Sequence, residues 1–182
     1  MTPLQKSAID RGRHVRILVR ATNWIGDTIL SMPAVQRLRE LEPEGNIALL
    51  CPAKLYDLWR HNPFLTEVIP FDDKPDIAAL RNRQFDVALI LPNSFRSAWE
   101  CWRAKIPCRV GFPGHWRRRL LTDVVAGSHG EQPVYKTVEV AGKKFQIKSF
   151  PTIRHQSRRY LDLISYLGGN RDFVQPKLRF AV

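Results

Sequence analysis

Val15-Arg16-Ile17-Leu18-Val19-Arg20-Ala21-Thr22-Asn23-Trp24-Ile25-Gly26-Asp27 is the stretch that decides the fold of this chain. Its first five residues, apolar but for Arg16, read as a buried first strand. Beyond Asp27, the residues Ile29, Met32, Val35, Leu38 and Leu41 line one face of a helix. Residues 23–27 are therefore a strand-to-helix loop. In open α/β sheets, ligands bind where such loops leave the carboxyl ends of the strands. Gly26 lets the backbone turn tightly or approach a ligand. Asp27 sets a carboxylate near a helix start, where the dipole favours its ionised form. Two readings of Asp27 stay open: a helix cap and a base in a site. One residue can be both.

The same grammar repeats along the chain. Residues 46–51, 67–71, 85–91 and 108–112 read as further strands. Residues 27–42, 53–61, 77–83 and 94–105 read as helices between them. Pro33 implies that the first helix is kinked or starts near Ser31, because an interior proline removes a backbone hydrogen bond. Nearly all-apolar strands alternating with helices predict a Rossmann-like parallel sheet with helices on both faces. Residues 114–125 read as a loop plus a short helix, and 127–153 as an insertion or a flexible hairpin. Residues 156–167 carry Tyr160, Leu163, Ile164 and Leu167 on one face, and Gly168-Gly169 stops that helix. Residues 1–14 are polar, lack the apolar core of a signal peptide and read as a flexible tail. No apolar run is long enough to cross a membrane.

The length of 182 residues fits one domain with a real core. Cys51, Cys101 and Cys108 show no CxxC spacing, which points to a reducing compartment and away from a metal site or a disulfide framework. The net charge of +12 is clustered. Residues 96–119 hold seven bases against Glu100, and residues 136–159 hold seven against Glu139, each a net +6, so the remainder sums to zero. Such clustering implies an anionic partner: nucleic acid, an anionic lipid surface or a phosphorylated substrate. The plainer alternative is a solvated basic surface.

Arg20-Ala21-Thr22-Asn23-Trp24-Ile25-Gly26-Asp27 resembles the opening loop of the lipopolysaccharide heptosyltransferases, above all the heptosyltransferase II type, within glycosyltransferase family 9. Family members commonly carry glycine where Ala21 stands. Leu91-Pro92-Asn93-Ser94-Phe95-Arg96-Ser97-Ala98 resembles the family's loop after the fourth strand. Ile106-Pro107-Cys108-Arg109-Val110-Gly111-Phe112 with Leu120-Leu121-Thr122-Asp123 gives a third motif, and His155 with Arg159-Tyr160-Leu161-Asp162-Leu163 a weaker fourth. The four run in family order.

The resemblance implies the N-terminal, acceptor-side half of a two-domain GT-B fold over residues 15–178, with the C-terminal donor-binding domain absent from this sequence. It implies an inverting transfer of heptose from ADP-heptose to the inner core of lipopolysaccharide, with no cofactor and no obligatory metal. The expected setting is the cytoplasmic face of the inner membrane, in peripheral contact with anionic lipid. The missing domain, or a partner chain, would hold the donor.

Asp27 is then the base that takes the acceptor hydroxyl proton. Asn23, Trp24 and Gly26 line the pocket beside it. Asn93, Ser94 and Arg96 meet the acceptor, and the forked guanidinium groups of Arg117, Arg118 and Arg119 meet its anionic groups. Local alternatives remain for each. Trp24 fits a core aromatic, Asn23 a turn-former, Ser94 an N-cap and the three arginines a solvated surface. A different class also stays open. A basic module could bind nucleic acid through Trp99, Trp102 and Trp116 interleaved with arginines. No nucleic-acid motif accompanies them, no nucleic acid is expected as a partner, and helix-borne tryptophans are usually core. The remaining alternative is an inactive fragment.

Overall fold

The computed structural model of the chain describes residues 14–114, 116–125, 134–140, 143–149 and 156–176. Its main sheet holds β1 (Arg16–Arg20), β2 (Asn46–Pro52), β3 (Glu67–Phe71), β4 (Val87–Ile90), β5 (Cys108–Gly111) and β6 (Asp123–Val124). The order is β3-β2-β1-β4-β5-β6, and every pairing is parallel. Strand order reverses between β1 and β4, which makes a switch-point crevice above the carboxyl ends. Arg20 is in register with Leu50 on one side and Ile90 on the other.

Five α-helices stand among the described residues: α1 (Ile25–Leu41), α2 (Tyr56–Trp59), α3 (Ile77–Asn82), α4 (Phe95–Arg103) and α5 (Gln156–Tyr166). Successive strand residues point to opposite faces, and the core divides accordingly. Ile17, Val19, Ile47, Leu49, Val87 and Leu89 pack with Met32, Val35 and Leu38 of α1 and Tyr160, Leu163 and Ile164 of α5. Leu18, Ala48, Leu50, Ala88 and Ile90 pack on the other face with Leu80 of α3 and Ala98 and Cys101 of α4. Both faces are covered, so the strands need apolar residues at every position. Asp86 breaks the apolar run before β4 and is buried, and its carboxylate accepts the Arg16 backbone N–H at 2.8 Å.

Helix α1 starts at Ile25, six residues before Ser31, and carries Pro33 inside it. The Ser31 hydroxyl donates to the Thr28 carbonyl at 2.8 Å. At the other end the Arg39 guanidinium donates to the carbonyls of Phe64, Glu42, Pro43 and Gly45 and to the Thr66 hydroxyl, so it ties the end of α1 to the chain before β2 and β3. Helix α5 stops as expected: Gly168 takes φ 97° and the Gly169 N–H bonds to the Ile164 carbonyl at 2.9 Å.

Three features depart from or add to the sequence reading. Residues 123–124 form a sixth strand on β5, too short to leave a periodic pattern. The expected short helix within 114–125 is a 3-10 turn, Arg117–Leu120. Trp99 and Trp102 are exposed rather than core; Trp59 of α2 is the tryptophan that is fully buried. Within 127–153 the hairpin alternative is the one found: β7 (Val134–Val140) pairs antiparallel with β8 (Lys143–Ser149) as a separate two-stranded sheet. The tail expected at 1–14 lies, but for His14, outside the described residues, as do the rest of 126–155, with His155 of the fourth motif, and 177–182.

Candidate functional site

Parallel pairing of β1 with β4 sends the loops after both strands out of the same sheet edge. Asn23, Asp27 and Asn93 therefore share that edge. An ion-pair chain, buried at Arg20 and Glu100, fastens this edge together. Arg20 ends β1; its Nε donates to Glu100 Oε2 at 2.8 Å, and its Nη1 donates to the Ala21 carbonyl at 2.7 Å and to Asn23 Oδ1 at 3.3 Å. The Phe71 ring lies 4.7 Å from the same guanidinium. Glu100 of α4 is buried, and its Oε1 accepts Arg96 Nε at 3.1 Å. Arg96 also donates to the Asp73 carbonyl. The path Asn23–Arg20–Glu100–Arg96–Asp73 thus joins the loops after β1 and β3 to α4, the helix that follows β4. Burying two such groups costs desolvation, which close pairing and further hydrogen bonds of this kind offset.

Above this network opens a cleft of about 490 Å³ whose lining includes Arg20, Asn23, Lys54, Phe71, Ser94 and Arg96. Its size suits a small ligand, and its chemistry is cationic with amide and hydroxyl groups. Such a lining can hold an anionic group and hydrogen-bond sugar hydroxyls. Arg20, Glu100, Lys54 and Phe71 were not singled out from the sequence. A signal for two of them was present: Arg20 closes an otherwise apolar strand, and Glu100 is the lone acid in a basic run.

Asp27 is not part of that lining. The N-cap position of α1 belongs to Trp24, whose side chain makes no capping bond, and Asp27 sits in the first turn. It is half-buried, and its carboxylate makes no hydrogen bond or ion pair to another described residue. It lies near α5: burial pushes the Tyr160 phenol up, a hydrogen bond from Gln156 opposes this, and the Asp27 charge adds to the rise. The first and fourth motifs thus meet at Asp27 and Tyr160, and the first and second meet across the cleft. Sequence order alone did not show this pairing of motifs.

The other candidates separate. Ser94 lines the cleft and is also the N-cap of α4, accepting the Ser97 N–H at 3.2 Å. Asn93 is exposed at the same edge, and so is Trp24, with Lys54 Nζ 5.5 Å from its ring centre. The core-aromatic reading of Trp24 therefore fails. Arg118 and Arg119 are exposed, but Arg117 is fully buried, so neither a solvated surface nor direct ligand pairing describes it here. Its Nη1 donates to the Pro92 carbonyl, while Nε and Nη2 have no partner among the described residues. Burial pushes this guanidinium down to about 10. Gly111 and Gly114 make room for it: a Cβ at either would come within 2.9 Å of the Arg117 side chain.

Of the two constraints expected of Gly26, the tight turn is not found. Its φ is not left-handed, and a Cβ there would meet nothing within 4 Å. Gly26→Ala is accordingly expected to raise stability by about 0.5–1 kcal/mol, the usual gain of alanine over glycine in a helix. Thermal unfolding of the variant measures this. A loss of stability would show that the loop needs glycine for the fold itself; a gain accompanied by weaker acceptor binding would place a ligand against this backbone.

Comparison with known proteins identifies the family. The sequence profile of glycosyltransferase family 9 (heptosyltransferase) matches residues 77–171. Lipopolysaccharide heptosyltransferase 2 of Escherichia coli strain K12 is 32% identical over 120 residues, which are 60% of this chain and 34% of that protein. Lipooligosaccharide heptosyltransferase 2 of Haemophilus ducreyi is 29% identical over 119 residues, again 34% of its length. Among solved structures, the E. coli ADP-heptose lipopolysaccharide heptosyltransferase II superposes with a TM-score of 0.67 at 26% identity, covering 92% of this chain and 47% of that one. A family 9 glycosyltransferase from Veillonella parvula shares the fold at 21% identity and a TM-score of 0.67. The chain thus spans about a third of the length of the curated relatives it matches. With its profile match covering more than half of the sequence, on a parallel sheet of the same fold, the chain belongs to glycosyltransferase family 9, the heptosyltransferases.

Proposed function

We propose that this chain is the acceptor-side half of an inverting heptosyltransferase, residues 15–178 forming the N-terminal domain of a GT-B fold. The reaction moves heptose from ADP-heptose to the inner core of lipopolysaccharide. The observation that carries the reading is the cleft at the switch point, where loops of two family motifs are bolted together by Arg20, Glu100 and Arg96. Asn23, Ser94 and Arg96 orient the acceptor there through hydroxyl and anionic contacts. Asn93 and Trp24 extend the contact along the sheet edge. Asp27 accepts the proton of the acceptor hydroxyl as its oxygen bonds to the anomeric carbon of heptose. The bond from that carbon to the diphosphate breaks in the same displacement, ADP departs with the electron pair, and the anomeric centre inverts. A second half of the fold, in the same polypeptide or in a partner chain, holds ADP-heptose.

The acceptor is lipid-borne, so the working place is the cytoplasmic face of an inner membrane in peripheral contact with it. Among the described residues no helix is long and apolar enough to cross a membrane.

The test is reconstitution. The chain, joined to a donor-binding half that is active in its own enzyme, is supplied with ADP-heptose and lipopolysaccharide core lacking heptose. The expected result is ADP release and a heptosylated core of inverted configuration. No transfer from a fusion that folds and binds ADP-heptose would overturn the reading.

A further inference from the structure

We infer that α4 and the turn after β5 form a docking face for an anionic phospholipid surface. The inference deepens the proposed function and rests on it for one step, the choice of lipid over nucleic acid. Helix α4 buries Ser97, Ala98, Glu100 and Cys101. On its other side Phe95, Trp99 and Trp102 stand at i, i+4 and i+7, one stripe of a helix surface. They are 49%, 37% and 46% exposed. The 3-10 turn Arg117–Leu120 packs against α4 and sets Trp116, 73% exposed, at the same side of the sheet. Large aromatic side chains left in water together mark an interaction surface.

Charge selects the partner. Of the seven bases in residues 96–119, Arg96 pairs with Glu100, Arg109 is taken up by the carbonyls of Leu120, Ile106 and Pro107, and Arg117 is buried. That leaves Arg103, Lys105, Arg118 and Arg119 exposed. None of these four has a carboxylate partner in an ion pair among the described residues, and Glu100, the one acid of the segment, is turned inward onto Arg20. Two of the four lie on the aromatics themselves: the Arg103 guanidinium is 5.1 Å from the Trp99 ring centre, and that of Arg119 is 5.5 Å from Trp116.

Indole rings favour the headgroup level of a bilayer, where the ring body is apolar and the N–H stays wet. Neighbouring cations then meet lipid phosphate. A helix of nine residues cannot span a membrane but can lie in its surface plane. Phe95 directly follows Ser94 of the cleft, so docking would bring the cleft mouth beside the headgroups. Single-stranded nucleic acid also takes stacking and cationic contacts, but its binders lead the strand along a groove, and this stripe lies on the outward side of a helix. A lipid-borne acceptor decides for the membrane.

The experiment uses the chain itself with vesicles that contain no glycolipid. Vesicles of phosphatidylethanolamine and phosphatidylglycerol are compared with vesicles of phosphatidylcholine, by sedimentation and by quenching of tryptophan fluorescence with brominated lipid. Binding is expected to the anionic vesicles, and to weaken as added salt shortens the screening length from about 10 Å at 0.1 M toward about 3 Å at 1 M. The variant Trp99→Ser with Trp102→Ser should lose more than about tenfold in partitioning. The variant Arg118→Glu with Arg119→Glu should lose at least about tenfold on anionic vesicles only. All four side chains are exposed, and circular dichroism checks that each variant is folded. Arg118→Glu alone serves if a double variant is not.

Equal binding to both vesicle types, or folded variants that bind like the parent, would overturn the inference. So would tighter binding of an oligonucleotide to the same residues, or a dimer in solution that these changes dissociate. Because the vesicles carry no acceptor, vesicle binding and heptose transfer can each fail without the other.

Discussion

Asp27→Asn, made in an enzyme that carries both halves of the GT-B fold, is expected to lose most of its turnover while still binding acceptor. The amide nearly keeps the shape of the carboxylate and its capacity for hydrogen bonds, but it cannot take the hydroxyl proton. General-base catalysis is worth roughly a hundred to ten thousand-fold in rate. The structural role open to Asp27 is small by comparison. It occupies the first turn of α1 rather than the cap, and its carboxylate makes no hydrogen bond to another described residue. Losing its favourable position near the helix dipole costs about 0.3–1 kcal/mol. The two roles separate in measurement. Catalysis predicts a near-normal melting temperature, near-normal acceptor binding and a collapsed kcat; a purely structural role predicts a kcat within a few-fold of the parent, and that outcome would remove Asp27 from the mechanism.

Glu100→Ala is expected to be the most destabilising single change in the site. Glu100 and Arg20 are both about 2% exposed and lie 2.8 Å apart. Removing one member of a buried pair leaves the other charged and unanswered, which costs about 3–5 kcal/mol. For a chain of this size that lowers the melting temperature by on the order of 10 °C. Arg20 keeps the Ala21 carbonyl, Asn23 and the Phe71 ring, which argues for the lower part of that range. Arg96→Ala provides the contrast. Its side chain is 58% exposed, so its pairing with the same carboxylate is worth no more than about 1 kcal/mol. Thermal melts of the two variants decide the matter. A drop of a degree or two for Glu100→Ala, no larger than for Arg96→Ala, would show that the bolt between the loops is not needed for the fold. A large drop with weakened acceptor binding in the surviving folded fraction would show that it also sets Asn23.

How much of this was written in the chain is clearest element by element. The strand–loop–helix alternation stands out because a sheet covered on both faces demands apolar residues at every position, and Ile17, Leu18 and Val19 go in sequence to opposite cores. The stop of α5 at Gly168 was equally legible, since a left-handed φ selects glycine. The placing of Asp27 and Asn93 at one edge also followed from local pattern once the strands were parallel. What the linear order hides is which distant side chains meet. Arg20 and Glu100 are eighty residues apart, and counted as sequence they are an ordinary strand-end base and one acid in a basic run. Arg117 shows the same limit from the other side: within Arg117-Arg118-Arg119 nothing local distinguishes the fully buried member from its two exposed neighbours. Burial of a charge depends on what the tertiary packing places around it, here Gly111, Gly114 and the Pro92 carbonyl. The tryptophans fall under the same rule, since helical spacing puts Phe95, Trp99 and Trp102 on one face, and only the docking of α4 through Ala98 and Cys101 decides that this face is turned to solvent.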